Sequence, residues 1–66
     1  MKELTWRQIE VLKAICEGLS TKQIGANLGI KAKTVDFHKA RIEESLEVKG
    51  VALLVRAAIR LGYIEL

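Results

Sequence analysis

Ser20-Thr21-Lys22-Gln23-Ile24-Gly25-Ala26-Asn27-Leu28-Gly29-Ile30, followed by Lys31-Ala32-Lys33-Thr34-Val35-Asp36-Phe37-His38, is the stretch that decides the fold. Ser20 and Gln23 read as a capping box, in which a hydroxyl accepts an orphaned backbone N–H and an amide reaches back to the cap. Ile24 and Leu28, four residues apart, fall on one face of the short helix they belong to. Gly29 stops that helix, since a residue without Cβ enters left-handed backbone without a clash. A further helix then begins near Ala32. Gly25 is the odd residue inside the first of the two, because a helical glycine costs about 1 kcal/mol relative to alanine. Close approach of another helix is the expected compensation. Two helices around so short a glycine turn predict a helix-turn-helix.

Charge concentrates on this stretch. Residues 1–19 carry equal numbers of cations and anions, and residues 43–66 carry one more anion than cations. Residues 20–42 carry Lys22, Lys31, Lys33, Lys39 and Arg41 against Asp36 alone. The formal excess of +3 therefore resides entirely on the helix-turn-helix. An ordinary solvated face mixes its charges; a face that meets phosphates does not.

The same grammar extends outward. Thr5 and Gln8 make another capping box, so the first helix is expected to begin after Thr5 and to stop at Gly18. Ile9, Leu12, Ile15, Cys16 and Leu19 give it an apolar face, and Trp6 reads as a hydrophobic plug at its start. The third helix is expected from about Ala32 to Leu46. Val35, Ile42 and Leu46 face inward with His38 at the edge, and Lys33, Thr34, Phe37, Ala40, Arg41 and Glu44 face outward. Lys31 is a poor cap for it. A fourth helix runs from about Val51 to Leu61, ended by Gly62. Its inward face is predicted as Val51, Leu54, Val55, Ala58 and Leu61, with Leu53 and Ala57 beside Arg56 and Arg60 on the outside. The tail, Tyr63 to Leu66, is expected to fold back over the core or fray.

Composition narrows the function classes. Sixty-six residues, half hydrophobic and 29% charged, make one globular domain spanning residues 1–66, with a small core. The single Cys16 excludes an internal disulfide and a multi-cysteine zinc site, and fits a reducing, cytoplasmic setting. No apolar region follows Met1, so no secretory signal is expected. The longest apolar run, Val51 to Val55, is far short of the ~20 residues a bilayer needs. His38 reads as a packing residue and Cys16 as a small core residue. No paired carboxylates, phosphate loop or nucleophile–base arrangement suggests an enzyme.

With those residues in view, the chain resembles the LuxR-type (GerE-like) DNA-binding domain. The matches are Leu4-Thr5, Arg7, Glu10-Val11-Leu12, Glu17-Gly18-Leu19-Ser20, Lys22-Gln23-Ile24, Leu28-Gly29-Ile30, Lys33-Thr34-Val35, His38 and Leu53-Leu54-Val55-Arg56. The resemblance implies an all-α domain of four helices: a tri-helical core with a central helix-turn-helix, plus a fourth helix that dimerises. It implies a bacterial transcription regulator that binds duplex DNA sequence-specifically. Trp6 stands where the family commonly has proline, Gly25 where alanine is usual, Lys31 where a hydroxyl cap is expected, and Leu53 at an often polar position.

By correspondence with the family, Asp36, Phe37 and Ala40 lie nearest the base edges, with Arg41 close by among the expected base readers. Phe37 suits a thymine methyl, Arg41 guanine or a phosphate, and Asp36 either cytosine or the rejection of wrong bases by repulsion. Lys22, Lys33, Thr34 and Lys39 are the expected phosphate contacts. Glu43, Glu44 and Glu47 are expected to turn the far end of the third helix away from DNA. Leu53, Arg56, Ala57 and Arg60 form the expected dimer seam. The implied partners are double-stranded DNA, a second copy and RNA polymerase, with no membrane, cofactor, metal or small-molecule ligand. Two alternatives remain: a sigma-factor-like promoter-recognition domain, and a helical protein-interaction module of anti-activator type.

Overall fold

A computed structural model describes residues 3–65, which form four helices and no strand. These are α1 (Trp6–Cys16), α2 (Thr21–Leu28), α3 (Ala32–Leu46) and α4 (Val51–Arg60). Met1, Lys2 and Leu66 lie outside the described residues, and with them the ends of the 1–66 span and of the expected tail.

Both capping boxes form. Thr5 Oγ1 accepts the Gln8 N–H at 3.1 Å, and Gln8 Oε1 accepts the Thr5 N–H at 2.9 Å. Ser20 and Gln23 repeat the pair at 3.1 and 2.9 Å. At the other end of α2, Gly29 adopts φ 71°, ψ 32°, and the Ile30 N–H returns to the Gly25 carbonyl at 2.9 Å. That bond draws the turn back onto Gly25. A Cβ there would stand 2.6 Å from the Ile30 carbonyl oxygen and 3.3 Å from the Ala32 nitrogen. The close neighbours of Gly25 are thus the backbone of the turn and of Ala32, where α3 begins, so the next helix does approach it, through the start of its backbone.

The core gathers from every helix. Leu12 of α1, Ile24 of α2, Val35 and Ile42 of α3 and Leu54 of α4 are its largest fully buried side chains, with Val11 beside them. α1 touches all three other helices, which explains why its buried arc is wider than its sequence pattern. Val11, absent from the expected face, is fully buried, while Ile9, Cys16 and Leu19 are half-buried at the margin. Burial pushes the Cys16 thiol up from its usual range, because a thiolate would lose hydration there.

Four apolar assignments, Trp6, Val51, Leu61 and Ala57, are corrected by the packing. Trp6 is not a plug: it is 85% exposed. Leu4, one residue before the cap, is buried instead and joins the core cluster with Ile9 at the fourth helical position, the arrangement of a hydrophobic staple. In α4 the inward arc is rotated from the expected one. Leu54, Ala57 and Ala58 are buried, Val55 is half-buried, and Val51 and Leu61 at the two ends are exposed. Ala57, at 2% exposure, therefore packs into the core and is unavailable to a dimer seam. Arg56 and Arg60 mark the outer side of α4, but its many apolar residues leave the exact roll open, and contacts with α1 and α3 set it. The tail does fold back: the Tyr63 N–H bonds the Ala58 carbonyl at 2.8 Å, and Tyr63 and Ile64 pack half-buried on the core.

Candidate nucleic-acid interface

α3 is held against α2 and α1 by Val35 and Ile42, seven residues apart and fully buried. Two helical turns between anchors fix which arc looks outward. That arc carries Lys33, Thr34, Asp36, Phe37, Ala40, Arg41 and Glu44, all exposed or at the margin of the exposed face. Phe37 decides the orientation. Its ring is 59% exposed on an otherwise polar face, where a monomer gains nothing from it.

The ring is not isolated. The Arg41 guanidinium lies 5.8 Å from its centroid, within cation–π range, and the His38 ring meets it edge-on at 6.1 Å and 62°. Arg41 Nε also lies 4.0 Å from a Glu44 carboxylate oxygen. Glu44 is a residue the sequence reading assigns only to repulsion. Its spacing of three from Arg41 is the signal for a helical ion pair. His38 is half-buried at the edge of the inner face, as a packing residue should be.

The cations divide. Lys22, the second residue of α2, and Lys33, the second of α3, are both exposed, each in the first turn of its helix. Lys39 is set apart: it stands four after Val35 and three before Ile42, along the packed stripe, and is half-buried. Its position separates it from the outward arc on which the other α3 site residues lie. The start of α3 carries no side-chain cap, since Lys31 supplies only its carbonyl, which accepts the Thr34 and Val35 N–H groups at 2.9 and 3.1 Å. No side-chain oxygen competes there for an anion.

The far end of α3 is engaged otherwise. Glu43 Oε2 accepts the Gly50 N–H at 2.8 Å and so ties the α3–α4 connection to α3. Gly50 is the N-cap of α4, so this bond helps set where α4 starts. The sequence treats Glu43 as a surface charge; nothing local marks a pairing seven residues away.

The luxR family of bacterial regulatory proteins matches residues 2–58, from ahead of the first cap to near the end of α4. The chain belongs to this family. It is a DNA-binding helix-turn-helix domain of transcription regulators. It is 35% identical over 60 residues to the uncharacterized response regulatory protein YgeK of Escherichia coli K12, covering 91% of this chain and 41% of that protein. It is 33% identical over 63 residues to the transcriptional regulatory protein FixJ of Rhizobium meliloti, covering 96% of this chain and 31% of FixJ. The crystal structure of ChrA, a response regulator of a heme-sensing two-component system, superposes with a TM-score of 0.90 at 33% identity. That superposition covers 97% of this chain and 32% of ChrA. The chain thus spans less than half the length of these relatives.

Proposed function

We propose that this domain reads duplex DNA by laying the first half of α3 in the major groove, as a transcription regulator working in the bacterial cytoplasm beside RNA polymerase. The carrying observation is the exposed Phe37 ring among cations on the outward arc of α3. Asp36, Phe37, Ala40 and Arg41 meet base edges. Lys22, Lys33, Thr34 and the uncapped start of α3 meet phosphates, which fix register and supply most of the affinity. Binding, with no covalent chemistry, is the whole of its action.

The domain pairs through the outer face of α4. Leu53 is 46% exposed there, flanked by exposed Arg56 and Arg60, whose stems cover apolar surface while their heads stay in water. A two-fold pair presents two copies of α3 to half-sites about 10 base pairs apart. Selection of duplexes from a random library tests both statements. The expected result is a salt-sensitive, two-fold symmetric site. A chain that retains no duplex at low salt sinks the DNA reading. One that sediments as a monomer at high concentration, alone and on its site, sinks the pairing.

A further inference from the structure

Two side chains on the outward arc are placed as a pair, and their chemistry differs. Phe37 offers an apolar ring edge, and Arg41 a fork of N–H donors. One turn of helix separates them along the axis, about 6 Å, and the guanidinium carbon lies 5.8 Å from the ring centroid. Base pairs in a duplex follow one another every ~3.4 Å, so two groups this close address base pairs no more than two steps apart. Ala40, between them in sequence, adds no bulk that would hold them off the groove floor.

Arg41, itself exposed, has a neighbour on each of two sides. The Phe37 ring lies under its guanidinium, and Glu44 approaches it at Nε. A carboxylate on the Nε side leaves the two terminal nitrogens open to pair with guanine O6 and N7. A long arginine otherwise loses much rotamer freedom on binding. The base partner of the ring differs: an apolar edge on the groove floor meets the C5 methyl of thymine.

We propose that Phe37 and Arg41 act as one reading unit for a thymine methyl and a guanine no more than two base pairs apart, with Glu44 as the positioning residue for Arg41. This rests on the DNA-binding reading and specifies the bases it takes. Phe37 fills two roles in it, contact with the methyl and seat for the guanidinium.

Base analogues test it on the full chain with the duplex it selects. Each thymine is replaced in turn by uracil, which removes only the methyl, and each guanine by 7-deazaguanine, which removes only N7. In the parent protein one uracil weakens binding roughly fourfold, the value of one buried methyl-sized group. One 7-deazaguanine within two base pairs of it weakens binding roughly tenfold. Phe37→Ala abolishes the uracil effect and reduces the 7-deazaguanine effect to roughly threefold, because the guanidinium has lost its seat. Arg41→Ala abolishes the 7-deazaguanine effect and leaves the uracil effect. Glu44→Gln binds every duplex more tightly, having lost a negative charge, yet shows a smaller 7-deazaguanine effect than the parent. None of the three side chains belongs to the buried core, so their loss leaves the fold intact. A protein that prefers its selected duplex but tolerates every analogue overturns the pair while DNA binding stands. So do analogue effects that persist unchanged in Phe37→Ala and Arg41→Ala. Failure to select any duplex overturns the DNA reading itself.

Discussion

From Ala32 to Arg41, α3 presents Lys33, Arg41 and an aromatic ring to solvent. From Ile42 to the Glu47 cap, it ties charge to its own chain. Glu43 holds the Gly50 N–H, Glu44 approaches Arg41, and Glu47 closes the helix in left-handed backbone. One helix thus carries a half built to meet another molecule and a half built to hold the connection to α4. The contrast shows why a run of charges is a poor guide by itself. Glu43, Glu44 and Glu47 look alike in sequence, and each does a different thing. Only the geometry separates an acid that repels a phosphate from one that organises a loop.

The largest effect that sharpens this contrast is expected from Lys33→Glu, in the open half. Reversing that charge should weaken binding to every duplex at least tenfold at low salt and lower the slope of log affinity against log salt by about one. The ratio between selected and arbitrary duplex should stay nearly constant, since a phosphate contact carries no sequence information. An unchanged salt slope, measured by titration across salt concentrations, would remove Lys33 from the phosphate set.

Glu43→Gln probes the other half and should act on stability before it acts on DNA. A hydrogen bond to a carboxylate contributes about 1.5–3 kcal/mol; since the amide can still accept, the expected loss is roughly 1 kcal/mol, read from urea unfolding. DNA affinity should change by far less than in Lys33→Glu. If Glu43→Gln instead strengthens binding as much as Lys33→Glu weakens it, both halves of α3 lie against the duplex and the division fails.

Local chemistry explains which features were legible in the sequence. The caps Thr5–Gln8 and Ser20–Gln23, the stop at Gly29 and the span Ala32–Leu46 are each set within a few residues, and the structure has them as the sequence predicts. The exposure of Phe37 follows from spacing, because Val35 and Ile42 fix the inner arc between them. The features that the sequence hid depend on distant partners. Ala57 and Val51 exchange expected places because α1 and α3 decide how α4 rolls. Trp6 is left outside because Leu4 reaches the core first. Lys39 shares the helix of Lys33 but not its face. The base-reading roles of Asp36, Phe37, Ala40 and Arg41, and the pairing through Leu53, Arg56 and Arg60, are tested by the analogues, the selection and the sedimentation.

The smallest expected effect belongs to Glu47, where α3 ends. It sits at φ 57°, ψ 41°, the one non-glycine residue with positive φ among the described residues. Its N–H and that of Val48 return to the Glu44 and Glu43 carbonyls at 3.3 and 3.1 Å, closing α3 as a glycine would. A side chain with a Cβ pays about 1 kcal/mol for left-handed backbone, and a carboxylate at a helix C-terminus opposes the helix dipole. Glu47→Gly removes both costs, while adding freedom to the unfolded chain that offsets part of the gain. The net expectation is a stabilisation of about 0.5–1 kcal/mol, seen as a higher urea midpoint at constant slope. Glu47→Asn should recover part of it, since asparagine tolerates this conformation better than glutamate. The salt slope for DNA should not move, because Glu47 stands at the end of α3 farthest from the first turns proposed to enter the groove. A lower midpoint for Glu47→Gly would mean that the side chain supplies a contact outweighing its strain, and the closing turn of α3 would then depend on glutamate rather than merely accommodate it.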